Sequence, residues 1–199
     1  MTVNPALAVL EFDSIARGIE AGDAMIKRSP LEVLRAGTVH PGRYLVLVGG
    51  PTAEVEEAVQ AGRAVGEAAL VGLVVLPDVH PDVVAAIGGA RRDGGEALGV
   101  IETRTVAAVI EAADAGVKNA EVVLRDLRLA DELGGKGYVL FGGPVSEVEA
   151  AVEHGVARIA AGDQTVAQVV IPMLHAEMDE RLAADPRWVA QVAGARKAD

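Results

Sequence analysis

Apolar positions along this chain come in two alternating rhythms, and the whole alternation occurs twice. Residues 6–11 (ALAVLE) form a short apolar run that predicts a strand. From Ser14, a candidate N-cap, Ile15, Ile19 and Ile26 recur at roughly helical spacing and predict a helix. Two strands follow around a polar, Gly-containing bend, Leu31–Arg35 and Tyr44–Val48. A second helix starts after Gly49-Gly50-Pro51, with Glu54, Glu56 and Glu57 (Glu147 and Glu149 in the second copy) expected in its first turn, where they complement the helix dipole. A last strand, Leu73–Leu76, ends at Pro77, and a short helix comes after it.

The same order returns with strands at Ala97–Glu102, Val122–Leu127, Tyr138–Phe141 and Gln168–Ile171. Thr105 is the second candidate N-cap, with Val106, Ile110 and Val117 behind it, and Ser146 and Glu149 have capping-box spacing. The repetition is visible in the letters themselves. Residues 6–27 align with residues 97–118 with 11 of 22 positions identical, GGPTAEVEEAV returns as GGPVSEVEAAV, and VVLPDVH as VVIPMLH. Strand–helix–strand–strand–helix–strand, twice, is the split βαβ, ferredoxin-like βαββαβ arrangement of an α/β (α+β sandwich) protein. The expected domains are residues 1–90 and 91–199, joined by a Gly- and charge-rich linker at about 88–96. From about Arg181 to Asp199 the chain is polar, with a lone Trp188, and is expected to be partly helical and frayed at its end.

Composition narrows the function classes. Of the 199 residues 51% are hydrophobic, enough for two cores, but only 3% are aromatic, so few flat anchors exist for bases or planar cofactors. A net charge of −11 argues against nucleic acid and anionic membranes. No apolar run is long enough to span a bilayer and no secretory leader is expected. The lack of cysteine excludes disulfides, thiol catalysis and cysteine-ligated clusters, and fits a reducing cytosol.

Candidate chemistry is sparse. The Gly-Gly-Pro turns look like phosphate cradles, but the glutamates behind them already occupy the positive end of the dipole. Glu20, Asp23 and Lys27, and Glu111, Asp114 and Lys118, share one helical face and read as ion pairs; their recurrence suits a contact surface better than acid–base catalysis. His80 and His175 match in Pro-x-x-His and read as structural residues bonding to nearby backbone, while His40 and His154 have no counterpart. No His-Glu-x-x-His or Gly-x-Ser-x-Gly pattern exists. The copies differ most at the bend after their second strand: Gly37–Arg43 in the first, Leu129–Lys136 in the second. A duplicated scaffold that diverges at one loop places its function there.

Taken together, A-L-(A/G)-V-(L/I)-E, the helix ending in Asp-Ala-x-(I/V)-Lys, the glycine bend, Gly-Gly-Pro before a Glu-rich helix and (L/I)-Pro-x-x-His resemble the bacterial microcompartment shell domain. Two copies resemble the tandem-domain shell proteins, that of the propanediol-utilisation compartment above all, with the motifs in unpermuted order. The resemblance implies a non-enzymatic homotrimer of pseudohexameric shape, located in the cytoplasm in the shell of a bacterial microcompartment. It implies partnership with hexameric and pentameric shell proteins, and small metabolites passing a central pore. Carried to matching positions, the pore is lined by Val39, His40, Pro41 and Gly42 and by Asp131, Glu132, Leu133, Gly134 and Gly135, and Lys27 and Lys118 lie at the tiling edge. His40 stands where the propanediol protein has its cluster-binding cysteine, so no iron–sulfur cofactor, or any other, is expected. Pro77-Asp78-Val79-His80 and Pro172-Met173-Leu174-His175 replace the Pro-Arg-Pro-His of many hexameric members. The competing reading is a trimeric, ferredoxin-like small-molecule-binding or signalling protein, with an enzyme third.

Overall fold

The computed structural model of the chain describes residues 5–162, 164–185, 187 and 190–191. Each half is a four-stranded antiparallel sheet with two long helices on one face. The first half comprises β1 (Ala6–Phe12), α1 (Ile15–Arg28), β2 (Val33–Val39), β3 (Arg43–Gly50), α2 (Thr52–Gly66), β4 (Leu70–Leu76) and α3 (Pro81–Ile87). The second comprises β5 (Ala97–Thr103), α4 (Val106–Asn119), β6 (Val123–Leu129), β7 (Gly137–Gly143), α5 (Val145–Ile159), β8 (Thr165–Ile171) and α6 (Ala176–Ala183). Strand orders β2-β3-β1-β4 and β6-β7-β5-β8 put the first strand of each copy in the sheet interior.

Burial on both faces explains the unbroken apolar runs of β1 and β5. On β1, Ala8, Leu10 and Phe12 pack with Val46 and Val48 against Ala21, Met25, Val55 and Ala58 of α1 and α2. Leu7 and Val9 belong instead to a second cluster with Val74 and Leu76. That cluster runs without a break into the second domain, through Val106, Ile110, Ile101 and Phe141. The two domains therefore share one apolar core along their seam. The connection from α3 to β5 crosses the second sheet backbone to backbone. At Gly142 a Cβ would stand 2.0 Å from the Gly94 carbonyl oxygen, so only glycine fits there.

Local sequence signals account for the helix starts. Ser14 and Thr105 cap α1 and α4, their hydroxyls accepting from the amides of Arg17 and Ala108. His80 and His175 cap α3 and α6: each Nδ1 accepts a backbone N–H, from Asp82 at 3.2 Å and Glu177 at 3.3 Å, the structural role expected of them. Two expectations change. The Ser146–Glu149 capping box does not form, because α5 begins at Val145 with Pro144 as its N-cap and no side-chain cap. Likewise Glu54 and Glu147 alone sit in the first turns of α2 and α5, with Glu56, Glu57 and Glu149 further along. Trp188 and residues 192–199 lie outside the described residues.

Candidate functional site

The two divergent bends come together. Val39 closes β2, half-buried; His40, Pro41 and Gly42 form an exposed turn in which the Gly42 amide donates to Val39 O at 2.9 Å. In the second copy, Ala130 is buried with φ 50° and Glu132 stands at φ 64°, a left-handed conformation stabilised by Leu133 N–H donating to Ala130 O at 2.9 Å. Asp131, Glu132 and Gly134 are exposed, Leu133 is half-buried and Gly135 is buried. The loops touch where the His40 amide donates to Asp131 Oδ1 at 3.4 Å, with His40 Nδ1 3.9 Å from the same oxygen. Every residue expected at the pore thus lies in one of two adjoining turns.

A clamp that sequence reasoning did not single out holds these turns to the seam. Glu11 at the end of β1 is fully buried. Its Oε1 accepts from Arg43 Nη1 at 2.5 Å, and its Oε2 accepts from the Val106 amide at the start of α4 at 2.8 Å. Arg43 also donates to the carbonyls of Arg104 and Gly135, both at 3.3 Å, and so braces the second loop from the first domain. Burial pushes the Glu11 carboxyl up, opposed by Arg43 and by the α4 amides. The readable signal was a glutamate ending an otherwise apolar strand in both copies.

The two edge lysines are unlike. Lys27 pairs with Asp23 at 2.6 Å in solvent. Lys118 pairs with Asp114 at 2.6 Å, but Asp114 is buried, accepts the His80 amide at 2.8 Å, and Lys118 donates on to Asp78 O. The expected solvated ion pair therefore holds for the first copy; in the second it fastens one domain to the other. Beside it Glu111 faces Arg158 at 2.9 Å in a cleft of about 410 Å³, its pKa raised because burial outweighs that arginine. Among the described residues no group of three His, Asp or Glu side chains is placed to hold a metal, and no helix is long and apolar enough to cross a membrane.

The sequence matches the family described as BMC domain twice, over residues 6–79 and 97–174. The chain belongs to the BMC domain family. The bacterial microcompartment shell protein PduT of Citrobacter freundii is 40% identical over 179 residues, covering 88% of this chain and 96% of PduT. The bacterial microcompartment shell protein PduA of Salmonella typhimurium is 38% identical over 98 residues, 48% of this chain and 97% of PduA. A microcompartment protein of Desulfitobacterium hafniense, known from its crystal structure, superposes with a TM-score of 0.77 at 38% identity, covering 89% of this chain and 99% of that one. This BMC protein is accordingly a structural shell component of a bacterial microcompartment and not an enzyme, with two tandem α+β BMC domains. The small-molecule-binding or signalling reading has no support among these relatives.

Proposed function

We propose that three copies of this BMC protein close into a pseudohexameric ring, a tile that packs with hexameric and pentameric shell proteins and passes small metabolites through its centre. The observation that carries this is an inequality between matching positions. Ile110 on α4 is 0% exposed because it packs into the seam, whereas Ile19, its counterpart on α1, is 54% exposed. Val74 on β4 is 2% exposed and Val169 on β8 is 47%. Val83 on α3 is 0% exposed and Met178 on α6 is 51%. One seam is made inside the chain from β4, α3 and α4; the free faces of α1, β8 and α6 are its two unmated halves. A head-to-tail contact of that kind makes a ring where its rotation closes, and a ring of six domains needs three chains.

In that ring, Val39, His40, Pro41 and Gly42 alternate with Asp131, Glu132, Leu133, Gly134 and Gly135 around the pore. Three acidic pairs there make the opening negative and oppose anions relative to neutral or cationic metabolites. Lys27 and Lys118 are proposed to serve at the tiling edge in addition to the seam contacts that Lys118 makes within the chain. Sedimentation equilibrium tests the ring: a mass about three times the 20.4 kDa chain is expected, and a stable monomer refutes it.

A further inference from the structure

We infer that the side chains of Glu102 and Lys136 are half of a clamp that the next copy completes, and that Lys136 positions the first pore loop of its neighbour. This rests on the ring proposed above and adds which atoms meet. The template is the clamp inside the chain: Glu11 receives Arg43 and the first amide of α4, while Arg43 reaches the carbonyls of Arg104 and Gly135. Glu102 is the penultimate residue of β5 as Glu11 is of β1, and Lys136, just before β7 and beside a glycine, takes the place of Arg43 at the start of β3. Lys136 Nζ already donates to Glu102 Oε1 at 2.7 Å, with both side chains partly exposed and no helix start delivered to the carboxylate. The helix with no seam to join is α1. Its first amide, Ile15 N–H, matches Val106 N–H, since Ser14 and Thr105 cap the two helices alike.

The same correspondence places the neighbour's Asp13 and Gly42 carbonyls at Lys136, where Arg43 holds those of Arg104 and Gly135. The bracing is then reciprocal: Arg43 steadies the second loop within a chain, and Lys136 steadies the first loop across the junction. A second polar contact flanks the seam. Asp114 and Lys118 bind the His80 amide and Asp78 carbonyl, so Asp23 and Lys27 bind the His175 amide and Met173 carbonyl of the adjoining copy. Between these contacts the backbones approach closely. A Cβ built on Gly72 lies 3.2 Å from Ala107 Cβ, and the matching inter-chain pair is Ala167 with Ala16, both exposed in the single chain.

That last pair gives the test, because the chain has no cysteine of its own. A disulfide needs Cβ atoms roughly 3.5–4.5 Å apart, which two real Cβ atoms reach by opening a few tenths of an ångström from the built contact. The double variant Ala16→Cys/Ala167→Cys, oxidised and run without reductant, is expected to give a covalent ring of about three chain masses. Each single variant stays at one. Trimers in solution whose double variant does not cross-link overturn the seam and leave the ring standing; monomers in solution overturn the ring itself. Amide exchange of the trimer checks the bracing. Lys136→Ala is expected to speed exchange at Gly42 by about tenfold and leave Gly135 unchanged, and Arg43→Ala to do the opposite. An intact Lys136→Ala trimer with unaltered exchange at Gly42 removes Lys136 from the role.

Discussion

Ile19 and Ile110 occupy the same place on matching helices, so truncating each to alanine separates folding from assembly. Ile110 is fully buried against the first domain. Removing it deletes three carbons from a filled seam, and such Ile→Ala changes cost about 2–5 kcal/mol. The whole loss falls on the single chain and appears as a lower denaturant midpoint at any protein concentration. Ile19 is 54% exposed in the single chain. Full burial of an isoleucine is worth about 1.5–3 kcal/mol, so roughly half, about 1 kcal/mol, is lost from the chain when Ile19 becomes alanine. The other half, about 1–1.5 kcal/mol, is lost only where α1 meets a neighbour.

A closed trimer contains that junction three times, so Ile19→Ala weakens assembly by roughly 3–5 kcal/mol, about two to four powers of ten in the trimer dissociation constant. The assay is paired: chemical denaturation at low concentration for the chain, and sedimentation across a concentration series for the trimer. Ile19→Ala should fold nearly as wild type and dissociate at concentrations where wild type does not. Ile110→Ala should lose chain stability by at least twice as much. If Ile19→Ala leaves the trimer untouched, α1 is not a seam helix and the seam built on it is wrong.

Glu11 sets a pH signature. Its folded-state pKa is raised by burial, so between the free and the folded-state values the native chain holds a proton that the unfolded chain gives up. Stability relative to Glu11→Gln should therefore be greatest below about pH 4.3, the value for a free glutamate, and fall as pH climbs through the raised value. Parallel denaturation series of the two proteins check this, and an advantage that grows with pH would mean that Arg43 outweighs burial. At the pore, Glu132→Gln removes three of the ring's negative charges and should raise anion relative to neutral-solute passage through reconstituted shells; an unchanged ratio rejects the acidic lining.

Much of the architecture was legible because the chain states it twice. The strand run ALAVLE, the caps Ser14 and Thr105 and the Pro-x-x-His turns each predicted the element found there. Strand limits were less readable. The second strand was expected at Leu31–Arg35 but runs Val33–Val39, since its pairing with β3 continues to the turn at Arg43 and carries the polar Thr38 with it. Such pairing is a long-range fact that residue pattern does not carry. The candidate loops were found by their divergence, yet their contact through His40 and Asp131 required the fold. Burial was the least readable. Ile15, Ile19 and Ile26 have the spacing of Val106, Ile110 and Val117, so periodicity alone gives no way to tell which stripe is covered within the chain.

The likeness of the two stripes also bears on why the halves diverge where they do. In a closed ring of six domains every seam must be made by the same chemistry, whether it lies inside a chain or between chains. The proposed ring would account in this way for the identity of Glu11 and Glu102, Asp23 and Asp114, and Lys27 and Lys118 in the two copies. Arg43 against Lys136 is a change that keeps the cation. The proposed pore loops would carry less of that requirement, because each needs only to fit its two neighbours in such a ring. Fusion then permits something a ring of six identical chains does not: two loop types in strict alternation, one with His40 and Pro41, the other longer and acidic. In the proposed ring the opening would take three-fold rather than six-fold symmetry, and its charge could change at Glu132 while the contact between His40 and Asp131 stays.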